Sequence, residues 1–412
     1  MKQQFANVGM FPENPKYEQG IRRQRELYQQ PGDPRSPFYR DYTRILHCNA
    51  YRRLKHKTQV FYATGNDHTC TRIEHVHHVA AISYTLASAM GLNPELAQTI
   101  ALGHDLGHAP FGHHGEAVLR RLVRRELGTG EDFWHEKNSL RFVDHIETLP
   151  DLQGNEQNLN LTYAVRDGII CHCGEVTEEA LVPRDAALDL ETLQYANQYA
   201  PWSWEGCIMK VADKIAFLGR DLEDSVALGI LTESHRRTLA RMLSHSLGGE
   251  LDLANLPNTL LINSFVEDLL ANSSPRRGVR FSSKMLKLIR ELSTFSFYNI
   301  YDHVRLKPFA AYASLLLDQL FNHLSRNYKG VDTIRHLESE SQIYPTLHGG
   351  FSGFLRKYST LQQMLVADHS YGHSVLYDLT LERDYKQAIV DYISGMTDHF
   401  ALKCFQEILY IH

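Results

Sequence analysis

The length, composition and charge of the chain limit the classes of protein it can represent. Its 412 residues, 43% of them hydrophobic, suffice for a large core and suggest two or three domains, although a helical enzyme of this size can be one continuous body. A net charge of -5 excludes an overall basic field that would attract nucleic acid or an acidic membrane. A polyanionic substrate would therefore need a local cluster of cations. No run of 18 apolar residues and no apolar N-terminal leader occur, so we expect a soluble cytoplasmic protein with no membrane partner.

Apolar residues recur at helical spacing through most of the chain, whereas alternating segments are scarce, and this pattern predicts an almost all-α fold. Gly91 is the expected C-cap of the first strongly amphipathic helix, and Asn93-Pro94 is the expected start of the next. The stretch 174–204 is expected to be a loop, and 272–280 a basic turn. The predicted helices span residues 72–90, 94–106, 113–127, 136–148, 160–173, 205–230, 233–246, 259–271, 282–294, 308–328, 350–366 and 383–408.

Histidine is unusually abundant, with 23 residues, and several crowd into positions 68–114. This density is typical of metal ligation or proton transfer, and a solvated helix face is the alternative. The six cysteines are scattered and form no disulfide framework. Cys171-His172-Cys173 lacks a second Cys/His pair at zinc-site spacing, so the pattern favours ordinary reduced thiols.

Three separated segments carry candidate metal ligands on or next to predicted helices. They are Arg72 to His75, His104 to Glu116, and Ala212 to Lys214 followed by Arg220-Asp221. The imidazoles of His75 and His104 and the carboxylates of Asp105 and Asp213 together suit a divalent ion such as Mg, Mn, Fe or Zn. Ligand type alone does not select among these metals. The chain has no glycine-rich P-loop, so nucleotide phosphates would have to be bound by side chains and metal.

The ordered pattern H…HD…D resembles the signature of the HD phosphohydrolase superfamily. The resemblance is closer to bacterial deoxyguanosine-triphosphate triphosphohydrolases and covers roughly residues 35–402. Its motifs are SPFYRDYTRILHCNAYRRLKHKTQVF (36–61), HDLGHAPFGHHGE (104–116), NLTYAVRDGI (160–169) and DYISGMTDHFAL (391–402). His135-Glu136, Asp213-Lys214 and Arg220-Asp221 also look like the vertebrate dNTP hydrolase that joins a sterile-alpha-motif domain to an HD domain.

The resemblance implies a helical HD-domain fold with additional C-terminal helices. We expect an N-terminal extension over 1–34, an HD-domain catalytic core over 35–230 and a C-terminal helical region over 231–412 packed on the core. The implied metal ligands are His75, His104, Asp105 and Asp213.

The implied catalytic pair is His113 and Glu116, three residues apart and so on one face of a helix that begins there. The carboxylate would orient the imidazole and favour its protonated form, and the preceding turn, with Gly107, Pro110 and Gly112, would aim the pair at the metal. A surface contact between neighbouring helical positions is the alternative reading of this pair.

The resemblance also implies a set of substrate contacts. Gln59 and Asp221 correspond to sugar contacts, Val60 is expected to lie against C2′, and Phe217 stands where the family commonly has tyrosine, which puts substrate preference in doubt. For any single cation in the set, a solvated charge is the alternative. The implied triphosphate contacts are Arg72, His108, His135 and Lys214.

The implied reaction is metal-dependent hydrolysis of deoxynucleoside triphosphates to deoxynucleoside and tripolyphosphate. The alternatives are another HD enzyme, such as a nucleotidase or phosphodiesterase, and a nucleotide- or DNA-binding HD module. Members of this family usually assemble as oligomers, so the resemblance implies a homo-oligomer, either a tetramer or a hexamer. It leaves open whether a dNTP or single-stranded DNA acts as an effector. The sequence does not select the preferred base.

Overall fold

The structure is a computed structural model that describes residues 3–27, 32–62, 68–128, 130, 132–173, 180–248, 258–360, 373 and 375–409. It confirms the predicted all-α class. Within the described ranges the strands are β1 (Thr148–Pro150) and β2 (Glu156–Asn158), an antiparallel pair in which Thr148 faces Asn158. The α-helices are α1 (Tyr17–Gly20), α2 (Pro37–His47), α3 (Asn49–Arg53), α4 (Arg72–Met90), α5 (Pro94–Gly103), α6 (Gly112–Glu126), α7 (His135–Arg141), α8 (Tyr163–Cys171), α9 (Trp204–Ala227), α10 (Glu233–Leu247), α11 (Asn258–Asn272), α12 (Ser283–Ser296), α13 (Lys307–Arg326), α14 (Thr333–Ser339), α15 (Leu347–Tyr358), α16 (Glu382–Ser394) and α17 (Asp398–Leu409).

Two predicted helices are interrupted in the structure. The span predicted as one helix over 383–408 is two helices, α16 and α17, because the chain breaks at Gly395 and restarts where the Thr397 hydroxyl accepts the Phe400 amide at 3.1 Å. The helix predicted over 136–148 ends at Arg141 and continues as the π turn Phe142–Ile146. Residues 361–366 of the helix predicted over 350–366 lie outside the described ranges, as do residues 174–179 of the predicted loop.

The chain forms two compact units, each assembled from three separated stretches. Unit 1 comprises Met1–Thr43, Ala63–His104 and Leu161–Pro308, and unit 2 comprises Arg44–Tyr62, Asp105–Asn160 and Phe309–His412. The peptide bond between His104 and Asp105 therefore joins the two units. The three-segment division expected from the sequence stays a prediction.

In unit 1 the helices α4, α5, α8 and α9 pack on one another. Thr71 and Glu74 form a capping box at the start of α4, and Gly91 ends that helix with a left-handed φ of 84°. The Asn93 side chain accepts the amides of Glu95 and Leu96 at 3.1 and 3.2 Å, so the predicted caps are confirmed. These signals fix where α4 and α5 begin and end, and hence the positions of the histidines they carry.

In unit 2, helix α6 packs against α16. Arg141, at the end of α7, donates to both carboxylate oxygens of Asp391 on α16, at 2.6 to 3.0 Å. The hydroxyl of Tyr377 donates to the same carboxylate at 2.6 Å. Asp391 is 2% exposed, whereas the Arg141 side chain is 31% exposed, so a buried carboxylate and a half-buried guanidinium tie α7 to α16.

Candidate metal centre and histidine cluster

Three of the four predicted metal ligands meet in unit 1. Nε2 of His75 on α4 lies 2.9 Å from Oδ1 of Asp213 on α9, and Nε2 of His104 lies 3.8 Å from the same oxygen. Ligand atoms of the three residues all lie within 4.8 Å of one another. Both imidazoles are buried, whereas the Asp213 side chain is 25% exposed. Two nitrogens and a carboxylate converging in this way fit a divalent ion.

Backbone hydrogen bonds fix how His104 presents its ring. The helix α5 ends at Gly103, and Nδ1 of His104 donates to the Ala101 carbonyl at 2.6 Å. Because a carbonyl can only accept, Nδ1 carries the proton and the Nε2 lone pair is turned toward Asp213. This is the arrangement that metal-binding histidines commonly have.

His172 repeats this arrangement at the end of α8, and the sequence did not single it out. Its Nδ1 donates to the Ile169 carbonyl at 2.6 Å, and its ring centroid lies 5.0 Å from that of His104. The available signal was a histidine near the end of the helix predicted over 160–173, inside a segment interpreted as reduced thiols. Cys171 and Cys173 are buried and not joined in a disulfide, and their interpretation as ordinary reduced thiols stays a prediction.

The neighbouring imidazoles keep Asp213 ionised. Burial alone would raise the pKa of the Asp213 carboxyl, but the hydrogen bond with His75 and the electrostatic interaction with the surrounding histidines outweigh it and lower that pKa. An anionic oxygen among buried imidazoles is a suitable cation ligand.

Unit 2 holds a second cluster, built from Asp105, His108 and His135. Ligand atoms of these three residues lie within 4.8 Å of one another. Nε2 of His135 is 3.8 Å from Oδ1 of Asp105, and the rings of His108 and His135 stack with centroids 4.5 Å apart. Asp105, the fourth predicted ligand, thus lies beside two residues predicted to contact phosphate.

The predicted catalytic pair is in contact, but Glu116 has closer partners. Nδ1 of His113 is 3.6 Å from Oε2 of Glu116, whereas Nδ1 of His135 donates to that oxygen at 3.0 Å. Arg120 donates to Oε1 at 2.8 Å and, through Nε, to the Phe133 carbonyl at 3.0 Å. His113 is 75% exposed and Glu116 is buried. The sequence missed the contact with His135 because His135 and Glu116 lie on different helices.

These contacts set the charges of the cluster. Burial alone would lower the pKa of His135, but the carboxylates of Glu136, Glu116 and Asp105 raise it to about 10. Burial alone would raise the pKa of Glu116, but His135, His113 and His108 lower it well below its usual value. Near neutral pH, His135 is therefore a cation and Glu116 an anion, which suits His135 to binding a phosphate oxygen.

The turn between His108 and His113 follows from close backbone packing. A Cβ at Gly107 would lie 2.1 Å from the Ser139 amide nitrogen, so only glycine fits. Phe111 and Gly112 have φ values of 64° and 60°, the left-handed region. This turn starts α6 and brings His113 and Glu116 onto its first turn.

The remaining predicted substrate residues divide between the units. In unit 1, Arg72 is buried at the start of α4, and Nζ of Lys214 lies 4.8 Å from the ring of Phe217. Asp221 accepts the hydroxyl of Tyr301 at 2.6 Å, a partner outside every recognised motif. Gln59 and Val60 belong to unit 2 and are half-buried. Their substrate roles stay predictions.

Comparisons with known proteins agree with this geometry. The HD domain family model matches residues 72–218, which include His75, His104 and Asp213, and the phosphohydrolase-associated domain model matches residues 363–407. HD domains are metal-dependent, in keeping with the donor sets found here.

Three relatives share the name deoxyguanosinetriphosphate triphosphohydrolase-like protein. The protein of Desulfatibacillum aliphaticivorans is 32% identical over 91% of this chain and 88% of its own length. That of Caulobacter vibrioides is 31% identical over 99% and 98%, and that of Caulobacter sp. strain K31 is 33% identical over 90% and 89%. The chain therefore belongs to the HD-domain phosphohydrolases, in the deoxyguanosinetriphosphate triphosphohydrolase-like family. In the described part of the chain, no helix has the length and apolar character needed to cross a membrane.

Proposed function

We propose that this chain hydrolyses deoxynucleoside triphosphates to deoxynucleoside and tripolyphosphate with the help of a divalent metal ion. The observation that carries the proposal is the convergence of His75, His104 and Asp213, all of them within residues 72–218 that the HD-domain model matches. The names of the relatives support the choice of a deoxynucleoside triphosphate as substrate.

In this proposal the ion is held by His75, His104 and Asp213. The fourth ligand predicted from the sequence is Asp105, which directly follows His104 in the chain. A bound divalent ion supplies positive charge that neutralises phosphate oxygens and eases deprotonation of water. The donor set admits Mg, Mn, Fe or Zn.

The reaction would proceed by attack of water on the α-phosphorus. The water oxygen forms a bond to phosphorus, the bond from phosphorus to the sugar 5′-oxygen breaks, and that oxygen must gain a proton. His113, which is exposed and lies 3.6 Å from Glu116, is the proposed proton donor. His135, cationic near neutral pH, would hold a phosphate oxygen, as would Arg72, His108 and Lys214.

The proposed sugar contacts are Gln59 and Asp221, with Val60 and Phe217 as apolar walls. Tyr301 donates to Asp221 and so fixes the orientation of its carboxylate. An added 2′-hydroxyl against Val60 would lose water without gaining a partner, so we expect deoxynucleotides to be preferred. A cytoplasmic location, a tetramer or hexamer, and a dNTP or single-stranded DNA effector remain predictions from the resemblance.

Product analysis tests the proposed function. Chelator-treated protein is incubated with each of the four dNTPs, with and without added Mg, Mn, Fe or Zn, and the products are separated by anion-exchange chromatography. We expect deoxynucleoside and tripolyphosphate in equal amounts, and only with metal. Turnover of monophosphates or cyclic nucleotides instead would identify another HD phosphohydrolase, and binding without turnover would identify a nucleotide-binding module.

A further inference from the structure

A carboxylate at the start of α17 joins two distant segments of unit 2. Oδ2 of Asp398 accepts the backbone amide of Thr58 at 2.8 Å, and its Oδ1 accepts the backbone amide of Phe111 at 2.8 Å. Asp398 is only 5% exposed. Each carboxylate oxygen is thus used by a different segment of the chain.

A buried lysine makes a parallel connection next to this one. The ammonium of Lys57, which is 2% exposed, donates to the Ser394 carbonyl at 2.9 Å and to the His108 carbonyl. The chain between Ser394 and Asp398 is the break between α16 and α17 that the sequence did not predict. These four hydrogen bonds hold residues 57–58, residues 108–111 and this break together.

The two joined segments carry different parts of the proposed substrate site. Thr58 directly precedes Gln59 and Val60, the proposed sugar contacts. Phe111 is the non-glycine residue with a φ of 64° directly before α6, the helix that carries Glu116. A left-handed conformation at such a residue persists only when its surroundings hold it, and Asp398 supplies one of the bonds that hold it.

We propose that Asp398 is a positioning residue that fixes the sugar-contacting segment against the catalytic turn, and so couples discrimination between deoxyribose and ribose to the rate of hydrolysis. This inference rests on the proposed function. The proposal also gives a reason why the motif at 391–402 accompanies the motifs at 36–61 and 104–116, because Asp398 accepts one amide from each of those two.

Substitution of Asp398 by Asn removes one of the two backbone hydrogen bonds of this side chain and hardly changes its volume. The amide oxygen can accept one backbone N–H, whereas the amide nitrogen is a donor and must face the other N–H. One segment is therefore released. We expect kcat to fall by about 10- to 100-fold, as for a displacement of roughly an ångström at a reacting centre. We also expect the ratio of kcat/KM for dGTP over GTP to decrease.

Glu407→Gln is a matched control on the same helix. Glu407 is 7% exposed and likewise accepts two backbone amides, those of Thr346 and Leu347, each at 3.0 Å. Neither amide adjoins a proposed site residue. Both variants thus replace a buried carboxylate of α17 that binds two amides. Because Oε2 of Glu407 accepts both of its amides, the glutamine oxygen can keep both bonds, so the stability of each variant is measured by denaturant unfolding. Only Asp398→Asn should change the dGTP over GTP ratio.

Hydrogen–deuterium exchange followed by mass spectrometry gives a readout that does not depend on activity. Peptides that cover Thr58 and Phe111 should exchange slowly in the wild type and faster in Asp398→Asn, and both should stay slow in Glu407→Gln. If the wild type hydrolyses no dNTP, the proposed function fails, while slow exchange at both peptides would still support the connection itself.

Two results would overturn the inference. One is a folded Asp398→Asn protein with unchanged kcat and unchanged sugar discrimination. The other is an equal change of both quantities in Glu407→Gln, which would show that Asp398 acts only on overall stability. If Asp398→Asn does not fold, Asp398→Glu replaces it, since glutamate keeps both acceptor oxygens and moves them by one methylene; unchanged discrimination there would also refute the inference.

Discussion

Replacement of Glu116 by Gln should lower the pKa of His135. In the structure, Nδ1 of His135 donates to Oε2 of Glu116 at 3.0 Å, and the surrounding carboxylates raise the pKa of His135 from 6.5 to about 10. That difference corresponds to about 5 kcal/mol in favour of the imidazolium, at ~1.4 kcal/mol per pKa unit. Gln keeps the shape of the side chain and removes its charge.

The expected change follows from the part of this stabilisation that Glu116 contributes. A hydrogen bond to a charged group contributes about 1.5–3 kcal/mol, which corresponds to a decrease of about 1–2 units in the pKa of His135. The charge of Glu136 remains and limits the decrease. We therefore expect the pKa of His135 in Glu116→Gln to lie between its ordinary value and that in the wild type.

The same interaction makes stability depend on pH with a defined sign. The pKa of His135 is raised on folding, so its contribution is complete below 6.5 and is lost as the pH rises through about 10. The pKa of Glu116 is lowered on folding, so its contribution is present above the ordinary value of 4.5 and is lost as the pH falls. In Glu116→Gln the loss should still begin near 6.5 but be complete at a lower pH than in the wild type, and the total loss should be smaller.

The assay is a proton NMR titration of the His135 ring in chelator-treated protein, with denaturant unfolding followed at each pH. Glu126→Gln is the control, because Glu126 lies on the same helix and pairs with Arg125 at 2.7 Å and with Lys386 at 3.3 Å. An unchanged pKa of His135 in Glu116→Gln, or an equal decrease in Glu126→Gln, would refute the proposed electrostatic link between Glu116 and His135.

Three further outcomes are expected. Asp213→Ala should lower the bound metal per chain, measured by elemental analysis after dialysis, whereas Glu223→Gln on the same helix should retain it; retention in both would reject Asp213 as a ligand. Burying a hydroxyl costs about 1–3 kcal/mol, so we expect the wild type to prefer dATP over ATP by about 5- to 150-fold in kcat/KM. Val60→Ala should reduce this preference, and an unchanged preference would place the selectivity at other residues. Asp391→Ala removes the buried carboxylate that accepts from Arg141 and Tyr377 and should cost roughly 1.5–3 kcal/mol of unfolding free energy, the range for a hydrogen bond to a charged group; no measurable loss would contradict a stabilising role for this carboxylate.

Local signals in the sequence were enough to predict most of the helical framework. Gly91 and the Asn93-Pro94 pair mark helix ends through glycine's access to positive φ and asparagine's ability to accept backbone amides, and both act within a few residues. The break at Gly395 was missed because the apolar spacing continues through it. The contacts of Asp398 that accompany the break reach residues far away in the chain.

The candidate site shows the same division between local and distant information. The motifs singled out His75, His104 and Asp213, which the structure places together. The motifs could not show that Glu116 bonds more closely to His135 than to His113, since that pairing depends on how α6 and α7 pack. His172 was missed for a similar reason, because nothing in its own segment indicates its distance from His104.

The central claim is hydrolysis at the α-phosphorus, and isotope labelling tests it most directly. Hydrolysis of dGTP with Mn in oxygen-18 water, followed by mass spectrometry of both products, locates the oxygen taken from water. Attack on the α-phosphorus predicts one labelled oxygen in tripolyphosphate and none in deoxyguanosine. Label in deoxyguanosine would show attack at the sugar carbon, and labelled orthophosphate with a dGDP intermediate would show stepwise removal of phosphate; either result would contradict the proposed reaction.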